Sequence, residues 1–236
     1  MKAFSSATQF NEWPRHRGDP ALNGIARSEL GSDLSLQWVF DTGEFLKSSV
    51  VVAHGLAYVG AESGQIHAID LKSGKEKWSY KTDMAIEAPP LVEAGMVFVG
   101  STDGFLYALE ATTGKLLWRY ETDGEIMGAP NQAIRPQSKD SVLVVGSYDN
   151  FVHCMDLKTG KALWKFETQN YVNGVPTIYE GKYVVFGGCD AMLYVVGLED
   201  GKIVRSVEVE APIAASVAVA DGCLLYTSPS PRDIGE

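Results

Sequence analysis

The chain is poor in the features that announce most functions. No stretch approaches the ~20 consecutive apolar residues that a membrane-spanning helix needs, so no transmembrane segment is read. Met1 to Asp19 is polar and has no apolar core of a secretory signal; taken literally, that places the chain in the cytoplasm. Cysteine is scarce, and Cys154, Cys189 and Cys223 form no CxxC pair, which removes zinc-finger and dithiol redox motifs. No Lys/Arg run exceeds two residues, and the formal net charge of −10 repels phosphate backbones, so nucleic acid is excluded as a partner. Neither a nucleophile-elbow serine nor a phosphate-cradling glycine loop is present.

What is present is repetition. Trp38, Trp78, Trp118 and Trp164, followed by Arg205 in a worn copy, stand 40, 40, 46 and 41 residues apart. A Gly-Lys pair precedes Trp78, Trp118 and Trp164. Periods of this length mark an architecture built from one small unit. Within a period, short apolar runs alternate with turn residues, as in many evenly spaced strands. In the copy around Trp118 the runs are Pro90-Leu91-Val92, Met96 to Gly100, Phe105 to Leu109 and Leu116 to Tyr120. The Asp103-Gly104 pair between two of them suits a turn that needs positive φ. Four antiparallel strands per period make one propeller blade, with the Trp of the outermost strand docking between blades. The fold class is therefore an all-β β-propeller.

Equivalent slots in successive copies serve as an internal control on candidate sites. His67 and His153 share a slot with Tyr107 and Tyr194, which reads as a packing and hydrogen-bonding position rather than a metal ligand. Asp103, Asp149 and Asp190 recur in hairpin turns, where carboxylates bond backbone N–H groups. Cys154 fills the slot of Ala68 and Ala108 and reads as a small core residue. Arg17-Gly18-Asp19 is an integrin-type tripeptide, set aside because it lies in the leading segment before Pro20. These readings leave no catalytic, cofactor-binding or metal residue. Slots that vary are more informative. Lys47, Glu87, Met127 and Asn173, with Ala214, lie nine residues beyond each Trp position and are read as a binding rim at the mouth of a central channel. An inserted loop, Arg135 to Asp140, is read as solvated.

The motifs Ala68-x-Asp70-x-x-x-Gly74-x-x-x-Trp78, Ala108/Glu110/Gly114/Trp118 and Cys154/Asp156/Gly160/Trp164 resemble the docking motif of the pyrroloquinoline-quinone-type (PQQ-like) β-propeller repeat family. Trp13-Pro14-Arg15-His16-Arg17-Gly18-Asp19-Pro20 is similar to the segment before the first blade in bacterial members. The resemblance implies blade docking through Trp38, Trp78, Trp118, Trp164, Gly74, Gly114, Gly160, Asp70 and Asp156. It also implies that Leu36 to Phe40 is the outer strand of the last blade. The family includes the propeller lipoprotein of the outer-membrane barrel-assembly machine (BamB) and the quinoprotein dehydrogenases, and its members are often periplasmic or exported.

The domain reading follows: a leading segment at 1–35, then repeats at 36–222. Blades fall at about 48–81, 88–121, 128–167 and 174–208, with a partial fifth at 214–222. This describes an arc of a larger ring, monomeric when full length. Residues 223–236, from Cys223-Leu224-Leu225-Tyr226-Thr227 through Pro229 and Pro231, resemble the translated read-through of a sequencing adaptor and are read as an artefactual tail. The expected function is a non-catalytic scaffold for a protein partner, BamB-like and without cofactor. The alternatives are a fragment of a quinone-dependent dehydrogenase and a ligand- or carbohydrate-sensing propeller.

Overall fold

The computed structural model describes residues 12–26, 34–220 and 222–226. Among them no helix occurs, and the strands form four four-stranded antiparallel sheets and one two-stranded sheet. The first sheet holds β1 (Val51–Ala53), β2 (Leu56–Gly60), β3 (Gln65–Asp70) and β4 (Glu76–Lys81). The second holds β5 (Leu91–Glu93), β6 (Met96–Gly100), β7 (Phe105–Glu110) and β8 (Leu116–Glu121). The third holds β9 (Asn131–Ile134), β10 (Ser141–Gly146), β11 (Phe151–Asp156) and β12 (Ala162–Glu167). The fourth holds β13 (Thr177–Tyr179), β14 (Tyr183–Gly187), β15 (Met192–Gly197) and β16 (Ile203–Glu208). A final hairpin pairs β17 (Ala218–Ala220) with β18 (Cys223–Leu225). Each sheet is a simple meander, and together they form a partial β-propeller of four full blades and a two-stranded fifth.

Strand burial follows from stacking sheets face to face. β6 is buried at all five positions because both of its faces are covered, so it shows no polar alternation. Val97, Val99, Tyr107 and Leu109 pack with the first blade, whereas Phe98, Leu106 and Ala108 pack with Leu143, Val145 and Met155 of the third. The outer strands behave differently. In β4 only Trp78 is buried and Tyr80 half-buried, their neighbours pointing outward.

At each of the three seams between full blades, and where Trp38 meets the first blade, one indole lies on a glycine of the next blade; at the seam with the fifth, Arg205 holds the Trp slot. A Cβ at Gly114 would stand 2.5 Å from the Trp78 ring, and one at Gly74, Gly160 or Gly201 would stand 2.6 Å from Trp38, Trp118 or Trp164. The indole N–H groups of Trp38, Trp78 and Trp164 donate to the carbonyls of Leu71, Ala111 and Leu198 at 2.7, 2.9 and 3.1 Å. The buried Trp118 N–H makes no such bond. On its own sheet each Trp faces a small residue: Ala68 opposite Trp78, Ala108 opposite Trp118, Cys154 opposite Trp164. Asp70 and Asp156 cap the turn below, accepting from the backbone N–H and hydroxyl of Ser73 and Thr159. An indole burying ~150–250 Å² contributes at most roughly 4–6 kcal/mol per seam.

Polar groups reinforce the seams. Two residues after each Trp, an aromatic ring reaches the alternating Tyr/His slot of the next blade: Phe40 on His67, Tyr80 on Tyr107, Tyr120 on His153 and Phe166 on Tyr194. That slot bonds back to the hairpin carboxylate, Tyr107 to Asp103 at 2.7 Å, His153 to Asp149 at 2.9 Å and Tyr194 to Asp190 at 2.6 Å. The same carboxylates accept N–H groups of Asp83, Asp123 and Gln169 in the preceding blade's connection.

Leu36 to Phe40 forms no ladder among the described residues, and Trp38 seats on Gly74 of the first blade. One expectation differs in part from the structure. The loop 135–140 is not simply solvated. Arg135 is mostly buried, donates to Asp140 at 2.6 Å and to the Glu199 carbonyl at 3.1 Å, and the Gln137 N–H bonds Glu199 Oε2 at 3.0 Å. The loop thus ties the third blade to the fourth. From residue 223 on, Cys223–Leu225 pairs as β18, and residues 227–236 lie outside the described residues.

Two measurements test these seams. Gly114→Ala should cost about 2 kcal/mol or more in urea unfolding, combining positive φ with a clash against Trp78. Gly95→Ala, at φ +76° with open space around it, should cost only about 1–2 kcal/mol. The second concerns Asp149. Burial works against its charge, but the His153 ring and the N–H groups of Phe151 and Asp123 outweigh burial and hold its pKa below the usual carboxylate value. Its stabilisation is therefore complete above the unfolded pKa of about 4 and disappears as pH falls through the lower folded value. Asp149→Asn should cost roughly 1–3 kcal/mol at neutral pH and flatten the loss of stability below pH ~4.

Candidate functional site

Because the sheets are antiparallel meanders, their connections alternate between two faces of the arc. One face carries the connections into each blade (41–50, 82–90, 122–130, 168–176 and 209–217) and the loops 61–64, 101–104, 147–150 and 188–191. Bonds between neighbouring blades hold these together, as in Thr102 N–H to the Ala85 carbonyl and Tyr148 N–H to the Glu125 carbonyl, both 2.9 Å. The opposite face carries the short turns and the loop 135–140.

The predicted rim residues occupy one equivalent position per blade on the first face. Lys47 and Glu87 meet directly, Nζ to Oε1 at 2.7 Å, with Glu62 at 3.6 Å from the same ammonium. That ion pair raises the pKa of the exposed Lys47. Met127 and Asn173 are half-buried, and the Asn173 Oδ1 is buried without a partner. Ala214 is exposed. Sequence reasoning missed the residue that follows each of them. Ser48, Ala88, Gly128, Gly174 and Ala215 are all small, because the backbones converge here. A Cβ at Gly128 would lie 2.7 Å from the Asn173 carbonyl, and one at Gly174 would lie 2.6 Å from that of Ala215.

The charge of the two faces differs. Lys47 is the single Lys or Arg in the connections of the rim face, which carry Asp83, Glu87, Asp103, Asp123 and Glu125. The turns of the opposite face carry Lys72, Lys75, Lys115, Lys158 and Lys161. Exposed apolar side chains stand on the rim face too: Phe45 is 81% and Met84 53% exposed. Tyr148 and Tyr171 stack flat there, with centroids 4.5 Å apart.

The axis of the arc is filled by the leading segment. Trp13 pairs with Val52 in both directions, at 2.7 and 2.9 Å, and the Pro14 carbonyl accepts from Val92 at 2.7 Å. Further along, the Pro20 carbonyl accepts from Ile178 at 2.9 Å and that of Ala21 from Val219 at 3.1 Å. Arg15 is buried there; its guanidinium donates to Glu93 at 2.8 Å and to Asn131 Oδ1 at 3.2 Å. Burial lowers the Arg15 pKa, with Glu93 and Asp19 opposing. Leu22 packs against Ala129 and Val175. Neither Glu93 nor Asn131 was among the residues expected from sequence. The available signal was slot identity, since Asn131 replaces Val51 and Leu91, and Glu93 replaces Ala53 and Ala133.

The remaining reactive side chains sit in the core or at seams. Burial pushes the Cys154 thiol up to about 12, and also raises Cys189. His67 bonds Glu76 at 2.7 Å through Nδ1, and His153 is held by Asp149 and Tyr120. Among the described residues no group of three or more His, Cys, Asp or Glu is placed to hold a metal ion. None of the described residues belongs to a helix long and apolar enough to cross a membrane.

Solved structures with the same fold are plentiful. BamB from Moraxella catarrhalis is 19% identical with a TM-score of 0.69, over 80% of this chain and 60% of that one. Quinohemoprotein alcohol dehydrogenase from Comamonas testosteroni is 20% identical with a TM-score of 0.70, over 92% and 45%. The computationally designed protein Ika8 is 21% identical with a TM-score of 0.64, over 76% and 54%. The chain thus spans about half to three fifths of the length of these structures. No curated protein matches it. A family model described as outer membrane protein assembly factor BamB matches residues 29–142 and 127–227. With the blades, the seams and this match in agreement, the chain belongs to that family of PQQ-like β-propeller repeat proteins.

Proposed function

We propose that the chain is a non-catalytic propeller scaffold that presents the variable connections of its rim face to a protein partner. The observation that carries this reading is the contrast between the repeated polar residues and the varied ones. Asp103, Asp149, Asp190, His153 and the Trp side chains all hold blades together, whereas Glu87, Met127 and Asn173 share a slot and differ in chemistry. The family's description as an assembly factor and the likeness to BamB support the reading. The acidic character of the rim face and its exposed Phe45 and Met84 suit a partner with basic and apolar surface.

The dehydrogenase reading draws on the fold shared with the alcohol dehydrogenase. A stacked quinone with calcium needs a ligand set of carboxylate and amide oxygens and open space in the ring. Residues 13–22 bond to the inner strands on the axis, and the given sequence, which spans 45% of that dehydrogenase, holds no adjacent cysteine pair, so this stays the second reading.

Affinity capture with cross-linking tests the scaffold. The wild-type chain should recover a specific partner, and the triple variant Glu87→Ala, Met127→Ala, Asn173→Ala should lower recovery at least ~10-fold. Lys72→Ala, Lys115→Ala, Lys158→Ala on the opposite face should leave recovery unchanged. Recovery of no partner, or equal loss in both triples, refutes the assignment. Adding pyrroloquinoline quinone and Ca²⁺ should give no dye-linked alcohol oxidation above background; turnover would restore the enzymatic reading.

A further inference from the structure

The inner strands β1, β5, β9, β13 and β17 each pair on one side only, which leaves a line of unpaired backbone groups facing the axis. The leading segment meets them in blade order. Trp13 bonds β1, Pro14 bonds β5, Arg15 reaches Asn131 and the Gln132 carbonyl in β9, Pro20 bonds β13 and Ala21 bonds β17. Asn131 also uses its amide to donate to the carbonyls of Pro20 and Pro176, both at 2.9 Å, so it clamps the segment from the opposite side. Main-chain bonds to open strand edges, with pockets for chosen side chains, are the physics of peptide recognition by strand addition.

The side-chain subsites are specific. The Arg15 side chain is 8% exposed, with Glu93 at 2.8 Å and Asn131 at 3.2 Å as side-chain acceptors. A charge-assisted pair of this kind discriminates arginine from lysine by the shape of its fork. Leu22 occupies an apolar socket of Ala129 and Val175. The segment is also organised by itself. Asp19 accepts from the Ala21 N–H at 2.8 Å, and Gly18, at φ +81°, lies under the Trp13 ring, where a Cβ would meet it at 2.8 Å.

We propose that the axial channel is a peptide-recognition groove for a segment that bears Trp-Pro-Arg and folds through turns at 15–18 and 19–22, and that residues 13–22 are its resident ligand, bound in cis. The groove therefore has two properties that the rim face lacks: a built arginine subsite that serves β9, and main-chain partners in β1, β5, β13 and β17. While the segment is seated, the channel is closed to other ligands. The inference is independent of which partner the rim face takes.

Hydrogen exchange on the full chain tests this. In Arg15→Ala, the amides of Val92, Ile178 and Val219 should exchange at least ~10-fold faster than in wild type, while the seam amides of Thr102 and Tyr148 keep their rates. A synthetic peptide spanning residues 12–24, added in trans, should restore protection saturably. The same peptide with alanine in place of its first arginine should not. Should Arg15→Ala fail to fold, Glu93→Gln serves instead, with a smaller acceleration at the same three amides and the same rescue. Unchanged exchange at those amides, uniform loss of protection across all blades in a folded variant, or rescue by both peptides alike overturns the proposal. Loss of partner capture by the rim variants would leave these outcomes untouched.

Discussion

An indole laid flat on a glycine turn is the contact on which this molecule depends. A propeller blade is a small twisted sheet with two apolar faces, and neither is stable in water until another sheet covers it. The Trp78–Gly114 contact and its equivalents fix how far apart the sheets stand and how they are rotated. The residue opposite the indole must be small, so Ala68, Ala108 and Cys154 follow from the same geometry. The turn carboxylates Asp70 and Asp156 then hold the glycine where the ring needs it. Much of the sequence pattern is thus one steric requirement written several times.

The same requirement decides where chemistry can lie. The Tyr/His slot and the hairpin aspartate form a polar layer between blades, in which each aspartate accepts from two backbone N–H groups as well as the ring of the slot. A residue engaged in that way keeps its geometry and is a poor candidate for moving protons to a substrate. Freedom to vary remains at the connections of the rim face and at the wall of the axis. The first is a surface and the second a filled channel, and they differ in what they can recognise.

The seams were legible in the sequence because a steric rule repeated at a fixed period leaves a residue signature. Trp38, Trp78, Trp118 and Trp164 with Gly74, Gly114 and Gly160 could be read off before any coordinates, whereas Gly201 under Trp164, in the worn copy, was not. The filled axis was not, because backbone N–H and C=O groups make most of its contacts and any residue supplies those. Glu93 and Asn131, polar where the first blade places Ala and Val, hinted at it. In the loop 135–140, Gln137 to Asp140 are exposed as their composition suggests, but Arg135 is covered and bonds the Glu199 carbonyl of the next blade, a contact that composition does not reveal.

The order in which the leading segment meets the blades bears on how the chain assembles during synthesis. Residues 13–21 leave the ribosome before every strand they touch, and Ala21 contacts Val219, almost the whole chain away. At ~5–20 residues per second, the segment waits several seconds or more for its last contact. Contacts this distant in sequence slow folding, because loop-closure entropy must be overcome before they form. The blades must therefore form from local hairpins first, with the thread through their centre drawn tight only at the end.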